Sequence, residues 1–268
     1  MRWRKILIII CLGVFLYSAY QIAAYLYDNY KSKSTYDKIR EEYEKQLVIE
    51  KEASLLTEQP SNNPNTPATP NTPNTPSLSG KRMLMDRYNS LLEINKDVVG
   101  WISVPNTVIG YPVVQADDND FYLRRNIHGE RATAGTIFMD YRSDARAEGK
   151  HIILYGHHMR NGSMFKDLVK YKEEDFFRNQ GNIRFNTLYE EIEWEVFSVY
   201  VADADFNYRQ TEFTSGENYI KFLKKLQNES MFNKGIELTE NDQILTLSTC
   251  TYEYDDARFV VHARRTDN

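Results

Sequence analysis

Ile6 to Leu26 is a run of 21 residues without a single charge, and it limits what the rest of the chain has to build. As a helix it reaches roughly 32 Å, at about 1.5 Å per residue, enough to cross a hydrocarbon core of about 30 Å. Arg2, Arg4 and Lys5 precede it and predict a cytoplasmic N-terminus, with everything after the run outside. Lys31, Lys33 and Lys38 on the far side oppose that vote, but the leading charges usually dominate. The rival is a cleaved signal peptide, whose apolar region is about 7–15 residues long. Ser18-Ala19 and Ala23-Ala24 supply small residues for cleavage. The length and tyrosine content of the run favour an uncleaved signal anchor over residues 1–27.

Residues 28–59 are charged, free of Pro and Gly, and predict a helical stem. Tyr36, Ile39, Tyr43 and Leu47 recur at spacings of three or four, a thin apolar stripe. Fewer than three clear heptads favour a solvated stem over a coiled coil. Residues 60–80 follow, holding six of the eight prolines in a near-repeat of Asn-Thr-Pro. Such a segment cannot bury a core and predicts an extended tether lifting a domain off the membrane.

That leaves residues 81–268 as one domain with room for a core. The whole chain's net charge of −5 mixes signs and shows no basic stripe, which argues against a nucleic-acid partner. Asp117-Asp118-Asn119-Asp120 lacks the glycine and ligand spacing of a calcium loop and reads as surface. The pattern predicts a helix from Lys81 to Asn95, then mostly β structure. Strands are expected at Val98–Val104, Val108–Val114, Gly135–Met139, His151–Tyr155, Ile183–Asn186, Glu193–Ala202, Gln243–Cys250 and Arg258–Arg264. Eight short strands with few long helices predict a closed or nearly closed barrel. One helix, Glu217–Gln227, interrupts the later strands.

Cys250 is the only cysteine beyond the apolar run, which holds Cys11, so the exported part has no internal disulfide. A lone exported thiol suggests a nucleophile, an intermolecular bridge or a buried small hydrophobe. The strands ending at Cys250 and starting at Arg258 are joined by seven residues, Thr251 to Ala257. If they pair as a hairpin, Cys250 and Arg258 meet at one rim. Alternation then puts Arg258, Val260 and His262 on one face, with Phe259 and Val261 on the other. A third strand ends in Tyr155-Gly156-His157-His158-Met159, where a glycine lets the backbone bend and offer an imidazole to a cleft. Thiol, imidazole and guanidinium are the ingredients of acyl transfer. Metal binding by the His pair lacks further ligands at suitable spacing. Arg258 also has a bland reading, as a surface cation beside Asp255 and Asp256.

Leu247-Ser-Thr-Cys250, then Arg258-Phe-Val-Val, with Tyr155-Gly-His157 upstream, resembles the sortases, cysteine transpeptidases of Gram-positive surfaces. The likeness continues through Val99–Thr107, Tyr111–Gln115, Phe121-Tyr-Leu and Ala134–Asp140. An N-terminal helix, the Gly-His-His-Met turn followed by Met164-Phe165, and a helix-bearing insertion between Asp203 and Leu238 resemble class B. Class C usually carries an Asp-Pro-aromatic lid and a C-terminal anchor; the missing Asp-Pro dipeptide and the polar run Arg264-Arg-Thr-Asp-Asn268 argue against that class without excluding pilus work. The resemblance implies an eight-stranded sortase barrel with Cys250 as nucleophile, His157 as general acid/base and Arg258 as oxyanion or substrate-positioning residue. Ser248 and Thr249 are substrate-binding candidates, and His158 supports the turn. Any acidic partner of His157 stays open among Glu253, Asp255 and Asp256. No cofactor or metal is expected.

The implied partners are surface proteins with a C-terminal sorting signal, a peptidoglycan precursor amine, and the membrane through the N-terminal helix. The implied reaction is attack on a Thr carbonyl, then aminolysis of the thioacyl enzyme. Two alternatives remain: a secreted cysteine hydrolase and a tethered wall-binding module with an inert cysteine.

Overall fold

Alternating burial turns eight short runs into the wall of one barrel. The computed structural model describes residues 2–57, 83–203, 206–250 and 257–266. Its strands are β1 (Val98–Ser103), β2 (Gly110–Gln115), β3 (Ile137–Met139), β4 (His151–Gly156), β5 (Asn182–Thr187), β6 (Glu193–Ala202), β7 (Ile244–Cys250) and β8 (Arg258–Arg265). They close in the order β1-β2-β3-β4-β7-β8-β6-β5, with β5 returning to pair with β1. All eight expected strands are present, each end within two residues of its expected place.

Each β8 side chain goes where alternation predicts. Phe259, Val261 and Ala263 join Leu245, Leu247, Trp194 and Phe185 in the main core. Val260 faces outward, into a second apolar cluster with Phe197, Tyr200 and Ile244. That cluster is covered by α3 (Gly216–Asn228), which buries Tyr219, Phe222, Leu223 and Leu226 at helical spacing. Ser215 caps this helix, its side chain accepting the Asn218 N–H at 3.2 Å. β7 and β8 are therefore buried on both faces, and the polar Thr246 and His262 they enclose are hydrogen-bonded to each other.

Polar groups between β4, β7, β8 and β6 form one ordered chain. The backbone carbonyl of Gln210 can only accept, so His151 Nδ1 donates to it at 2.6 Å. His151 Nε2 then accepts from Thr246 Oγ1 at 2.6 Å, and Thr246 Oγ1 accepts from His262 Nδ1 at 2.7 Å. Tyr200 OH closes the series by donating to His262 Nε2 at 2.8 Å. Both imidazoles are neutral in this pattern. Burial lowers His151 to about 4 and pushes His262 well below its ordinary value.

Two parts of the molecule depart from expectation. The helix expected over Lys81–Asn95 shortens to a 3₁₀ turn, Asp86–Tyr88, leading into α2 (Asn89–Ile94). The described chain enters extended, because Met85 N–H bonds the Leu188 carbonyl at 3.0 Å and cannot serve a helix. Met83 is exposed instead of forming an apolar face, while Tyr88 and Leu91 are buried.

The second departure is larger. One continuous helix, α1 (Arg2–Thr57), runs from the apolar segment through the charged one. The first half is long and apolar enough to cross a membrane. The stripe expected on a solvated stem is buried: Tyr36, Ile39 and Tyr43 are 2%, 6% and 4% exposed. Tyr43 stacks on Trp101 of β1 with ring centroids 3.9 Å apart, and Tyr36 OH donates to the Gly135 carbonyl at 3.0 Å. Arg40 Nε donates to the Gly110 carbonyl at 3.1 Å, and Arg87 pairs with Glu50 at 3.0 Å. The thin stripe is thus a docking face, and the barrel packs directly on the helix that carries the apolar span. The Pro-rich tether of residues 60–80 lies outside the described residues.

Candidate active site

The site follows from strand direction. β4 and β7 are parallel neighbours, pairing Tyr155 with Ser248 and Gly156 with Thr249, so both end at the same rim. β8 runs antiparallel to β7 and begins at that rim, with Arg258 opposite Cys250 at the last rung. The three strands lie side by side in the barrel, at spacings of about 4.8 Å. The backbone of Cys250 is thus flanked by the end of β4, where His157 follows, and by the start of β8. Residues 251–256, with the acidic candidates Glu253, Asp255 and Asp256, lie outside the described residues.

A cleft of about 240 Å³ opens at this rim. His157, Arg258, Ser248 and Thr249 line it, together with Tyr155, Tyr208 and Arg209. His157 is half-buried, and its Nε2 donates to the Leu123 carbonyl at 2.7 Å. That contact leaves Nδ1 as the basic nitrogen of the neutral ring. Burial lowers the His157 pKa, and the charges of Arg124 and Arg258 lower it further against the opposing carbonyl. At neutral pH the ring is mostly an uncharged base. Arg258 is half-buried and donates from Nη1 to the Ala257 carbonyl at 3.3 Å.

Gly156 makes the bend possible through lack of volume. A Cβ there would lie 2.4 Å from Ile137 Cδ1 and 2.8 Å from the Phe165 ring. Phe165 reaches this place because its N–H bonds the His157 carbonyl at 3.0 Å and His158 bridges Met164 in a short antiparallel contact. His158 is buried, with Nε2 accepting from Lys166 Nζ at 2.7 Å. The two adjacent imidazoles point to a carbonyl and an ammonium, and do not converge on a common centre.

Ser248 and Thr249 differ in what their hydroxyls have to do. Ser248 Oγ bonds Tyr208 OH at 2.9 Å. Thr249 Oγ1 is buried and has no hydrogen-bond partner among the described residues. The cleft wall contains a network the motifs did not reveal. Asp140, fully buried, accepts from Arg142 Nε and Nη2 at 2.8 Å each, from Tyr155 OH at 2.9 Å and from Asn119 Nδ2 at 3.1 Å. Burial raises its pKa, but these hydrogen bonds outweigh it and hold the carboxyl below its ordinary value. Tyr155 and Asn119 also line the cleft, so the network stiffens its wall. Asp140 stands in the Gly-Thr-Ile-Phe-Met-Asp run, a detectable signal. The Leu123 carbonyl is backbone and has none.

Comparison with known proteins agrees with this fold. The Sortase domain family model matches residues 102–266. Sortase B of Listeria monocytogenes is 33% identical over 262 residues, covering 97% of this chain and 95% of its own. A crystal structure of sortase B from Bacillus anthracis superposes with a TM-score of 0.71 at 35% identity, covering 91% of this chain and all of that one. A Staphylococcus aureus sortase B–substrate complex gives 0.72 at 29% identity, with 90% and 98% covered. The chain therefore belongs to the sortase family of cysteine transpeptidases, and within it is most similar to class B.

Proposed function

We propose that Cys250, His157 and Arg258 carry the transpeptidation, cleaving a C-terminal sorting signal and joining the remaining protein to a cell-wall amine outside a single-pass anchor. The observation that supports this most is the shared rim. Parallel β4 and β7 with antiparallel β8 bring the backbone of Cys250 between His157 and Arg258, beside a cleft that both line.

In this mechanism the sulfur of Cys250 attacks the carbonyl carbon of a substrate threonine. The carbonyl π electrons move onto oxygen, where the Arg258 guanidinium offers planar charged donors. The thiol proton goes to His157 Nδ1, the basic nitrogen left by the Leu123 contact. The C–N bond then breaks and the departing amine takes that proton. An incoming amine attacks the thioester, passes a proton to His157 Nδ1 and expels the Cys250 sulfur, which takes that proton back, leaving a new peptide bond and the starting enzyme. The thioester stores the energy of the first bond, so no nucleotide is consumed. Thr249 Oγ1, buried at the cleft and without a hydrogen-bond partner among the described residues, is the hydroxyl we assign to a substrate contact; Ser248 acts through Tyr208.

The experiment compares products with and without an amine nucleophile, using sorting-signal peptides and Cys250→Ala as control. Amine-dependent product from the native chain alone is expected. Release to water at the same rate in either case would favour a hydrolase. Turnover by folded Cys250→Ala would remove the nucleophile from this scheme.

A further inference from the structure

A second, larger opening lies where α1 meets the barrel, next to the segment whose Leu123 lines the catalytic cleft. This crevice of about 600 Å³ is walled on one side by Gln21, Ala24, Tyr25 and Asp28 of α1, and on the other by Arg124, Arg131, Ala132 and Thr133. Its α1 wall is the end of the charge-free run. From Gln21 to Asp28 a helix rises about 10 Å, which on the anchored reading is the depth where lipid phosphates lie. Tyr25, Tyr27 and Tyr30 are exposed around the helix here, as in an interfacial aromatic belt.

The charges in the crevice are not balanced. Asp28 is engaged, its Oδ2 accepting the Thr133 N–H at 3.0 Å. The neighbouring Glu130 pairs with Lys31 at 2.9 Å. Arg124 and Arg131 are exposed, and neither makes an ion pair with a described residue. The backbone holds them together: Ala132 N–H bonds the Arg124 carbonyl at 3.0 Å, and Arg125 bridges Arg131. Two arginines on one small hairpin, lining a crevice whose other wall is the end of an apolar helix, match a phosphate whose acyl chains continue along that helix.

We propose that this crevice binds the phosphate headgroup of an anionic membrane phospholipid, with Arg124 and Arg131 as its ligands. The site rests on the membrane-anchored reading of α1. Bound lipid would add to the packing of Tyr36, Ile39 and Tyr43 in holding the barrel at a fixed height and rotation above the bilayer.

The test uses the full chain in nanodiscs of equal phosphatidylcholine and phosphatidylglycerol, with retained lipid read by native mass spectrometry. Turnover is not the readout, because Arg124 adjoins Leu123, whose carbonyl holds His157. A cation near a membrane surface contributes about 1 kcal/mol toward anionic lipid, so each arginine should enrich phosphatidylglycerol on the order of fivefold. The native chain should show that enrichment, and Arg124→Gln with Arg131→Gln should lose it. Lys33→Gln with Lys38→Gln, an equal charge change on α1 outside the crevice, should keep it. Equal enrichment in the double variant, or none in an inserted native chain, would overturn the crevice site alone. Failure of the native chain to insert would overturn the anchoring and the site with it. Loss of the enrichment in millimolar inorganic phosphate would assign the crevice to a free anion and overturn the lipid proposal.

Discussion

His157 Nε2 lies 2.7 Å from the carbonyl oxygen of Leu123, a residue 34 positions earlier in the chain. An acceptor-only partner on one ring nitrogen fixes the neutral tautomer and turns the other nitrogen into the base. The acid/base role proposed for His157 thus depends on a backbone atom from a separate loop.

His157→Ala should lower turnover by roughly 10²–10⁴-fold, as for loss of a proton-transfer group. His158→Ala should cost far less, since that ring accepts from Lys166 within the turn. Because burial and two nearby arginines lower the His157 pKa, the acidic limb of kcat/KM should fall below pH 6.5. An acidic limb well above that value, or a larger loss at His158, would reassign the base.

Arg258→Lys should be impaired in kcat nearly as much as Arg258→Ala. A point charge on a flexible stem does not reproduce a planar fork, and losing one oxyanion donor costs on the order of 10²–10³ in rate. Single-turnover kinetics separate this from binding. Native turnover in the lysine variant would leave Arg258 with a surface or loop role.

Gly156→Ala should damage catalysis without touching a reacting group. The added methyl meets Ile137 and Phe165 at contacts that something must relieve, an overpacking cost of about 1–3 kcal/mol. The next residue is His157, so the displacement should appear in kcat as well as in thermal stability. Unchanged kcat in a folded variant would show that the bend tolerates volume.

Acid should destabilise the barrel in a window set by buried histidines. His151 sits near pH 4 when folded and near 6.5 when unfolded, so the unfolded chain binds more protons between those values. Stability is then fully present above about pH 6.5 and is lost as pH falls toward 4, by roughly 3 kcal/mol from His151 alone. His262, also lowered, adds in the same direction. Asp140, lowered as a carboxylate, should act only further into acid, below its ordinary range. Thermal midpoints that stay flat from pH 7 to 5 would show that the two imidazoles do not remain neutral in the fold.

Sequence by itself determined the parts that depend on local pattern. The charge-free run at Ile6–Leu26 reads as a span from its length, and the alternation in β6 and β8 and the apolar spacing of α3 state their burial directly, because periods of 2 and 3.6 are local properties of the backbone. The cysteine, histidine and arginine were legible as strand-end residues in a recognisable order. Tertiary structure alone decided what those patterns face. The stripe of Tyr36, Ile39 and Tyr43 looked too thin to pack, yet Trp101 and Tyr88 complete it from the other side of the contact. The 3₁₀ start of α2 was invisible because its competitor is the Leu188 carbonyl, far away in sequence. The Leu123 acceptor and the Asp140 network have the same origin. A hydrogen bond between distant segments leaves no period in either one, and only closure of the barrel brings its two ends within reach.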